Sequence, residues 1–172
     1  IGKVVVAIRG DSASAAREAA VSEAVALPGF QESQERPVAE GGAVRQDATY
    51  LITGGLGALG LQLADWLSAQ GATHLALLAR RPPSPAVAAR LDELRARGTA
   101  VAVLRGDAAD RASLDGALGR IPPDFPLLRG VIHAAGVLDD GVLFDMSLEQ
   151  LDRPMAPKVQ GAWNLHAATQ DA

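Results

Sequence analysis

The sequence predicts an α/β protein built on a doubly wound parallel sheet with helices on both faces. Three observations predict it. Short apolar runs alternate with amphipathic segments from about residue 49 onward, in the rhythm of strand–helix–strand units. The run His74-Leu75-Ala76-Leu77-Leu78-Ala79 is apolar almost throughout, as a strand buried on both faces should be. A glycine-rich turn, Thr53 to Gly60, stands between one such strand and the helix after it.

The elements follow in order. Ile1 to Ile8 reads as a short strand of β-branched residues. Residues 11–26 are alanine-rich and read as a helix, with Asp11 or Ser12 as its cap. Periodicity then disappears from Pro28 to Gln46, where polar residues and Gly41-Gly42 mark a linker. A boundary at about residue 46 divides the chain. Residues 1–48 are the end of a preceding domain and a linker, and residues 49–172 are the main domain. Tyr50 to Thr53 is a strand. Ala58 to Gln70 carries Leu59, Leu63 and Leu67 at helical spacing with Trp66 beside them, and Gly71 ends it. After the strand His74–Ala79 comes a helix from Pro85 to Arg97, stopped by Gly98. Ala100 to Leu104 is a strand, Arg111 to Leu118 a short helix, and Gly130 to His133 a fourth strand of this series. Ser147 to Thr169 is mostly helical, interrupted near Pro154 and Pro157.

Composition narrows the function. Of the 172 residues, 48% are apolar and 21% charged, which excludes a disordered, collagen-like or coiled-coil chain. A domain of ~150 residues hides roughly 70% of its unfolded surface, so a real core is available. Aromatics are 3%, so Ala, Val and Leu must fill it. The net charge of −4 gives no global positive field for nucleic acid or anionic lipid. The absence of cysteine excludes a disulfide scaffold, a thiolate nucleophile and a Cys-ligated metal. No apolar run reaches the ~18 residues that span a bilayer, and no signal peptide is evident. A soluble cytoplasmic protein with neither a nucleic-acid nor a membrane partner is expected, and no metal site is predicted. Of 16 basic residues, only Lys3 and Lys158 are lysines. In so arginine-rich a chain, a retained lysine points to a chemical role.

The chemistry-bearing residues gather at strand ends. Gly55-x-Gly57-x-x-Gly60 lies between a strand and a helix, the context a dinucleotide-binding turn requires. The first glycine permits the tight turn, the second close approach of a pyrophosphate, the third tight helix–strand packing. Thr53, Leu56 and Leu59 belong to the same turn, and phosphates would sit on the helix N-terminus. An NAD site places a carboxylate at the end of the second strand; this chain has Arg80-Arg81. Two guanidinium groups suit a ribose 2′-phosphate, so NADPH is the favoured cofactor, the alternative being two solvated arginines. Asp107, followed by Ala108, stands where a carboxylate can accept from an adenine amino group, although Asp107 or Asp110 could equally cap the next helix. Ala134, Ala135 and Gly136 leave room for the cofactor ribose, and His133 reads as structural.

In their order and spacing, Thr53 to Gly60, Arg80-Arg81, Gly106-Asp107, His133 to Gly136 and Pro157 to His166 resemble the β-ketoacyl reductase domains of type I modular polyketide synthases and animal-type fatty acid synthases. These belong to the short-chain dehydrogenase/reductase superfamily, with a Rossmann-like fold. The resemblance covers about residues 49–172. It implies NADPH-dependent reduction of a β-ketoacyl thioester carried by an acyl carrier protein, within a larger synthase. It assigns Lys158 to the catalytic site, bound to the nicotinamide ribose and helping a tyrosine to act as proton donor. Leu138-Asp139-Asp140 resembles the signature of B-type reductases, which give a D-configured hydroxyl. Ile1 to Val6 resembles the closing strand of an enoyl reductase domain.

The family also uses a serine and a tyrosine, expected beyond Ala172. The only tyrosine here is Tyr50, on the first strand of the main domain, where it cannot serve. The expectation is a piece of a longer synthase, with a sheet cut after about four strands, exposed apolar surface and no activity alone. The competing reading is a non-catalytic remnant kept for structure or docking. A third, an extended-type NADP-binding reductase or epimerase, would carry Tyr-x-x-x-Lys on one helix, and this chain does not.

Overall fold

The computed structural model describes residues 6–8 and 44–170. The helix expected over residues 11–26 and most of the linker lie outside the described residues. Four strands run parallel: β2 (Thr49–Thr53), β3 (His74–Ala79), β4 (Ala100–Arg105) and β5 (Leu128–His133). The short strand β1 (Val6–Ile8) completes a sheet of order β1-β5-β2-β3-β4. It pairs antiparallel with β5, Val6 opposite Ile132 and Ile8 opposite Gly130. The sequence assigned this segment to a preceding domain. Here it forms the edge of the same sheet, which is therefore parallel in four strands and antiparallel at one border.

The helices are α1 (Ala58–Ala69), α2 (Pro85–Ala96), α3 (Arg111–Leu118), α4 (Leu148–Met155) and α5 (Gly161–Ala168). Because successive strand residues face opposite sides, each strand feeds two cores. Tyr50, Ile52, Leu75 and Leu77 pack with Ala64 and Leu67 of α1 and Leu91 and Leu94 of α2. Leu51, Ala76, Leu78 and Leu104 pack on the other face with Leu114 and Ala117 of α3 and Leu165 of α5. The core is thus leucine and alanine, as the composition requires. Each fully buried leucine contributes about 1.5–3 kcal/mol of transfer free energy. On α1, Leu67 is buried and Leu63 half-buried, but Leu59 and Trp66 face solvent.

The proline-bearing segment is one nearly continuous helical stretch. A capping box starts it: the Ser147 hydroxyl accepts from the Gln150 N–H and the Gln150 side chain accepts from the Ser147 N–H. The expected interruption takes the form of a π-turn, Ala156–Gln160, between α4 and α5. Pro157 has no N–H to give to the preceding turn, so the ladder slips by one residue. The Gly161 N–H then donates to the Ala156 carbonyl, five residues back.

Much apolar surface is exposed beside this stretch. Leu138, Val142, Leu143 and Leu148 are largely exposed, and Phe144 is 98% exposed. Among the described residues, no helix is long and apolar enough to cross a membrane.

Candidate functional site

The parallel strands end together at Thr53, Ala79, Arg105 and His133, the edge at which doubly wound sheets bind ligands. A cleft of about 390 Å³ opens there. Its walls include Thr53, Gly54, Gly57, Arg80, Asp107 and Ala134, and reach Ala156 and Pro157. A second, more open hollow lies at the opposite end of β4, lined by Arg95, Val101 and Phe125 and by none of the candidate site residues.

The glycine turn divides its tasks differently from the sequence expectation. The left-handed residue is Gly54, with φ +65°, and not Gly55. A Cβ at Gly54 would lie 2.8 Å from the Ala134 carbonyl oxygen. Gly55 is a packing glycine: its Cβ would meet the Ile52 carbonyl and Leu77 Cβ at 2.8 Å. At Gly60 a Cβ would run into the Gly54 carbonyl and lie 2.7 Å from Gly55 Cα. Helix α1 can therefore rest directly on the turn. Gly57 is the N-cap of α1 and brings no side chain to it, and no acidic residue occupies the first turn. The leading N–H groups of α1 are thus left uncapped by any side chain beside the cleft. Leu56 is half-buried against the α1–α2 core. Neither Leu56 nor Leu59 lines the cleft.

Arg80 lines the cleft, whereas Arg81 is exposed outside it. Arg80 Nη1 stands 3.8 Å from Asp107 Oδ2. The ambiguity between Asp107 and Asp110 is resolved. Asp110 caps α3, its carboxylate accepting from the Ser113 N–H at 2.8 Å. Asp107 belongs to the cleft, its Oδ1 accepting from the Ala109 N–H at 2.9 Å. Ala108, Ala135 and Gly136 also line the cleft.

His133 is buried and bonded at both ring nitrogens, as a structural histidine should be. Nδ1 lies 2.6 Å from the Thr53 hydroxyl and Nε2 lies 2.6 Å from the Pro157 carbonyl oxygen. The Thr53 hydroxyl also accepts from the Ala135 N–H at 3.2 Å. Lys158 is exposed on the π-turn, next to the cleft-lining Ala156 and Pro157 but not itself in the wall. Of the Leu138-Asp139-Asp140 stretch, Leu138 and Asp140 are exposed. Asp139 is turned inward, its Oδ2 2.8 Å from Arg153 Nη1.

Sequence reasoning passed over three residues that build this site. Gly54 sits beside the glycine pattern and its Gly-Gly pair was the available signal. Arg153 lines the cleft and holds Asp139. Asn164 is buried, and its amide donates to the Ala108 and Ala109 carbonyls at 3.0 Å each. It ties α5 to the loop that carries Asp107, a long-range contact with no local signature.

Residues 48–172 match the family described as KR domain. A phenolphthiocerol synthesis polyketide synthase type I Pks15/1 of Mycobacterium marinum is 47% identical over 127 residues, which is 73% of this chain and 6% of that protein. A solved N-terminal ketoreductase from the macrolactin assembly line superposes with TM-score 0.70 at 31% identity, covering 74% of this chain and 26% of the other. A structure of A-type ketoreductases from a modular polyketide synthase gives TM-score 0.65 at 41% identity, covering 72% of this chain and 27% of the other. The chain thus spans a small part of the synthase it resembles and about a quarter of the solved chains. A strand-end cleft under a glycine turn, in a chain so matched, makes it a member of the ketoreductase domain family of modular polyketide synthases, within the short-chain dehydrogenase/reductase superfamily.

Proposed function

We propose that this chain is the cofactor-binding part of an NADPH-dependent reductase. Its substrate is a β-ketoacyl thioester held on an acyl carrier protein, and its product the β-hydroxyacyl form. The observation that carries this reading is the cleft itself, where the glycine turn, Arg80, Asp107 and the Ala134–Gly136 bend converge. The residues present fit a dinucleotide phosphate. Gly57 leaves an open N-terminus for the pyrophosphate, and Arg80 offers charge-assisted bonds to a 2′-phosphate. Asp107 supplies an acceptor for an adenine amino group, and Ala134 to Gly136 keep the floor low for a ribose.

A reduced nicotinamide bound there supplies the hydride for the β-carbon. In this reading Lys158 bonds the ribose hydroxyls, and its positive charge lowers the pKa of a neighbouring tyrosine so that it can donate the proton. Leu138-Asp139-Asp140 supports B-type stereochemistry, a D-configured hydroxyl, although two solved relatives carry A-type labels. The start of the family match at residue 48 supports a division into residues 1–48, from a preceding domain and linker, and a ketoreductase portion after them.

The test is steady-state turnover of a β-ketothioester in the full-length protein that carries this chain. Lys158→Ala is expected to lower kcat by ~10-fold or more, since general acid catalysis contributes ~10²–10⁴-fold. Lys3→Ala serves as control and should leave kcat unchanged, with circular dichroism as the check on folding. Full activity in Lys158→Ala would remove the catalytic role. No turnover in the full-length wild type would favour the docking remnant. The 172 residues alone should reduce nothing, because Tyr50 is buried on β2 with its hydroxyl accepting from the Arg45 N–H at 2.6 Å.

A further inference from the structure

The π-turn shifts the Gly161 N–H from the Pro157 carbonyl to that of Ala156. In a regular α-helix the Pro157 carbonyl would accept from the Gly161 N–H, four residues on. That N–H goes instead to Ala156, which frees the Pro157 carbonyl from its α-helical partner. His133 Nε2 meets the Pro157 oxygen at 2.6 Å. A carbonyl only accepts, so Nε2 must carry the proton. In that tautomer Nδ1 bears a lone pair, and the Thr53 O–H donates to it at 2.6 Å. The Thr53 oxygen in turn accepts the Ala135 N–H at 3.2 Å. One directional chain therefore runs from Ala135 through Thr53 and His133 to Pro157. Its members come from the bend after β5, the start of the glycine turn and the residue before Lys158. Gly161 packs beside the ring: a Cβ there would lie 3.4 Å from His133 Cε1 and Nε2.

We infer that His133 is a positioning residue for Lys158, acting through the Pro157 carbonyl. It rests on the assignment of Lys158 to the active site. With the Nε2–H bond in place, the π-turn is anchored to the end of β5 and Lys158 projects from one defined backbone. Without it, the half-buried Pro157 carbonyl loses its side-chain donor, and the turn that carries Lys158 loses its tie to the end of β5. A displacement of ~1 Å near reacting groups can cost on the order of 100-fold in rate.

The experiment compares His133→Ala, His133→Gln and His133→Asn in the full-length protein. The Gln side-chain amide reaches the position of Nε2 and keeps a donor for Pro157. The shorter Asn amide reaches only the position of Nδ1 and faces Thr53. The expected result is a kcat for Gln within a few fold of wild type, with Ala and Asn lower by ~10-fold or more. KM for the thioester should stay nearly constant across all three. Should Ala fail to fold, the Gln–Asn contrast decides. Equal kcat in Gln and Asn, or a normal kcat in Ala while Lys158→Ala is inactive, overturns the inference alone. A fully active Lys158→Ala overturns the underlying assignment and this inference with it.

Discussion

Arg80 and Asp107 face each other at the cleft, Nη1 of one 3.8 Å from Oδ2 of the other. Both side chains are substantially exposed, and such a pair is worth only ~0–1 kcal/mol. Arg80 is therefore held in the cleft without being committed there, and a 2′-phosphate can recruit it at little cost.

The first prediction follows from this pair. The chain should bind NADPH more tightly than NADH, and Arg80→Ala should remove most of the difference. Each lost charge-assisted bond is worth ~1.5–3 kcal/mol. Arg81→Ala should cost less, because Arg81 stands outside the cleft wall. Fluorescence titration of both cofactors checks this, and equal affinities in the wild type would sink it.

A second prediction concerns the glycine turn. Gly60→Ala puts a methyl into the Gly54 carbonyl and against Gly55, both backbone that cannot give way cheaply. It should destabilise the chain by ~1–3 kcal/mol and weaken dinucleotide binding. Gly136→Ala meets nothing within 4 Å and should change stability by less than ~0.5 kcal/mol. Urea midpoints of the two variants make the comparison, and a shared midpoint would contradict the packing argument.

Asn164 gives a third. Its buried amide satisfies the Ala108 and Ala109 carbonyls and accepts from the Gln160 amide at 2.8 Å. Asn164→Ala should cost ~1–3 kcal/mol by leaving acceptors unpaired. Asn164→Asp, near-isosteric but without the N–H donors, should not restore it. Chemical denaturation of both variants reads this directly.

The fourth is a pH effect. Partial burial of Asp65 on α1 acts to raise its pKa, but hydrogen bonds from Arg90 and Arg97 outweigh that and hold the carboxyl below its usual range. Arg97 Nη2 lies 2.5 Å from Oδ1 and Arg90 Nε 2.8 Å from Oδ2. A folded pKa below the unfolded one gives stability that is fully present above the unfolded value of 3.8 and lost as pH falls through the folded value. Asp65→Asn should therefore be less stable than wild type at neutral pH, with the gap closing as the pH falls below ~4. Thermal melts at pH 7 and pH 3 test it; a gap unchanged between the two would count against the pair.

The sequence by itself determined the alternation of strands and helices, because buried parallel strands must be apolar on both faces and helices on one. It also determined the Gly-x-Gly-x-x-Gly turn, since that spacing stands between an apolar strand and a helix, and the uncommon lysine at position 158. Tertiary structure decided the rest. Only in the fold does Gly54, rather than Gly55, take the left-handed conformation, and there Ala134, just after β5 and 80 residues away, leaves no room for a side chain. Only there do Asp107 and Asp110 divide the roles of cleft carboxylate and helix cap. The edge pairing of Val6–Ile8 with β5, the Asn164 tie and the His133–Pro157 bond all join residues far apart in the chain. Local propensity responds to neighbours within a few residues, whereas these contacts exist only once the sheet has brought distant backbone groups within bonding distance.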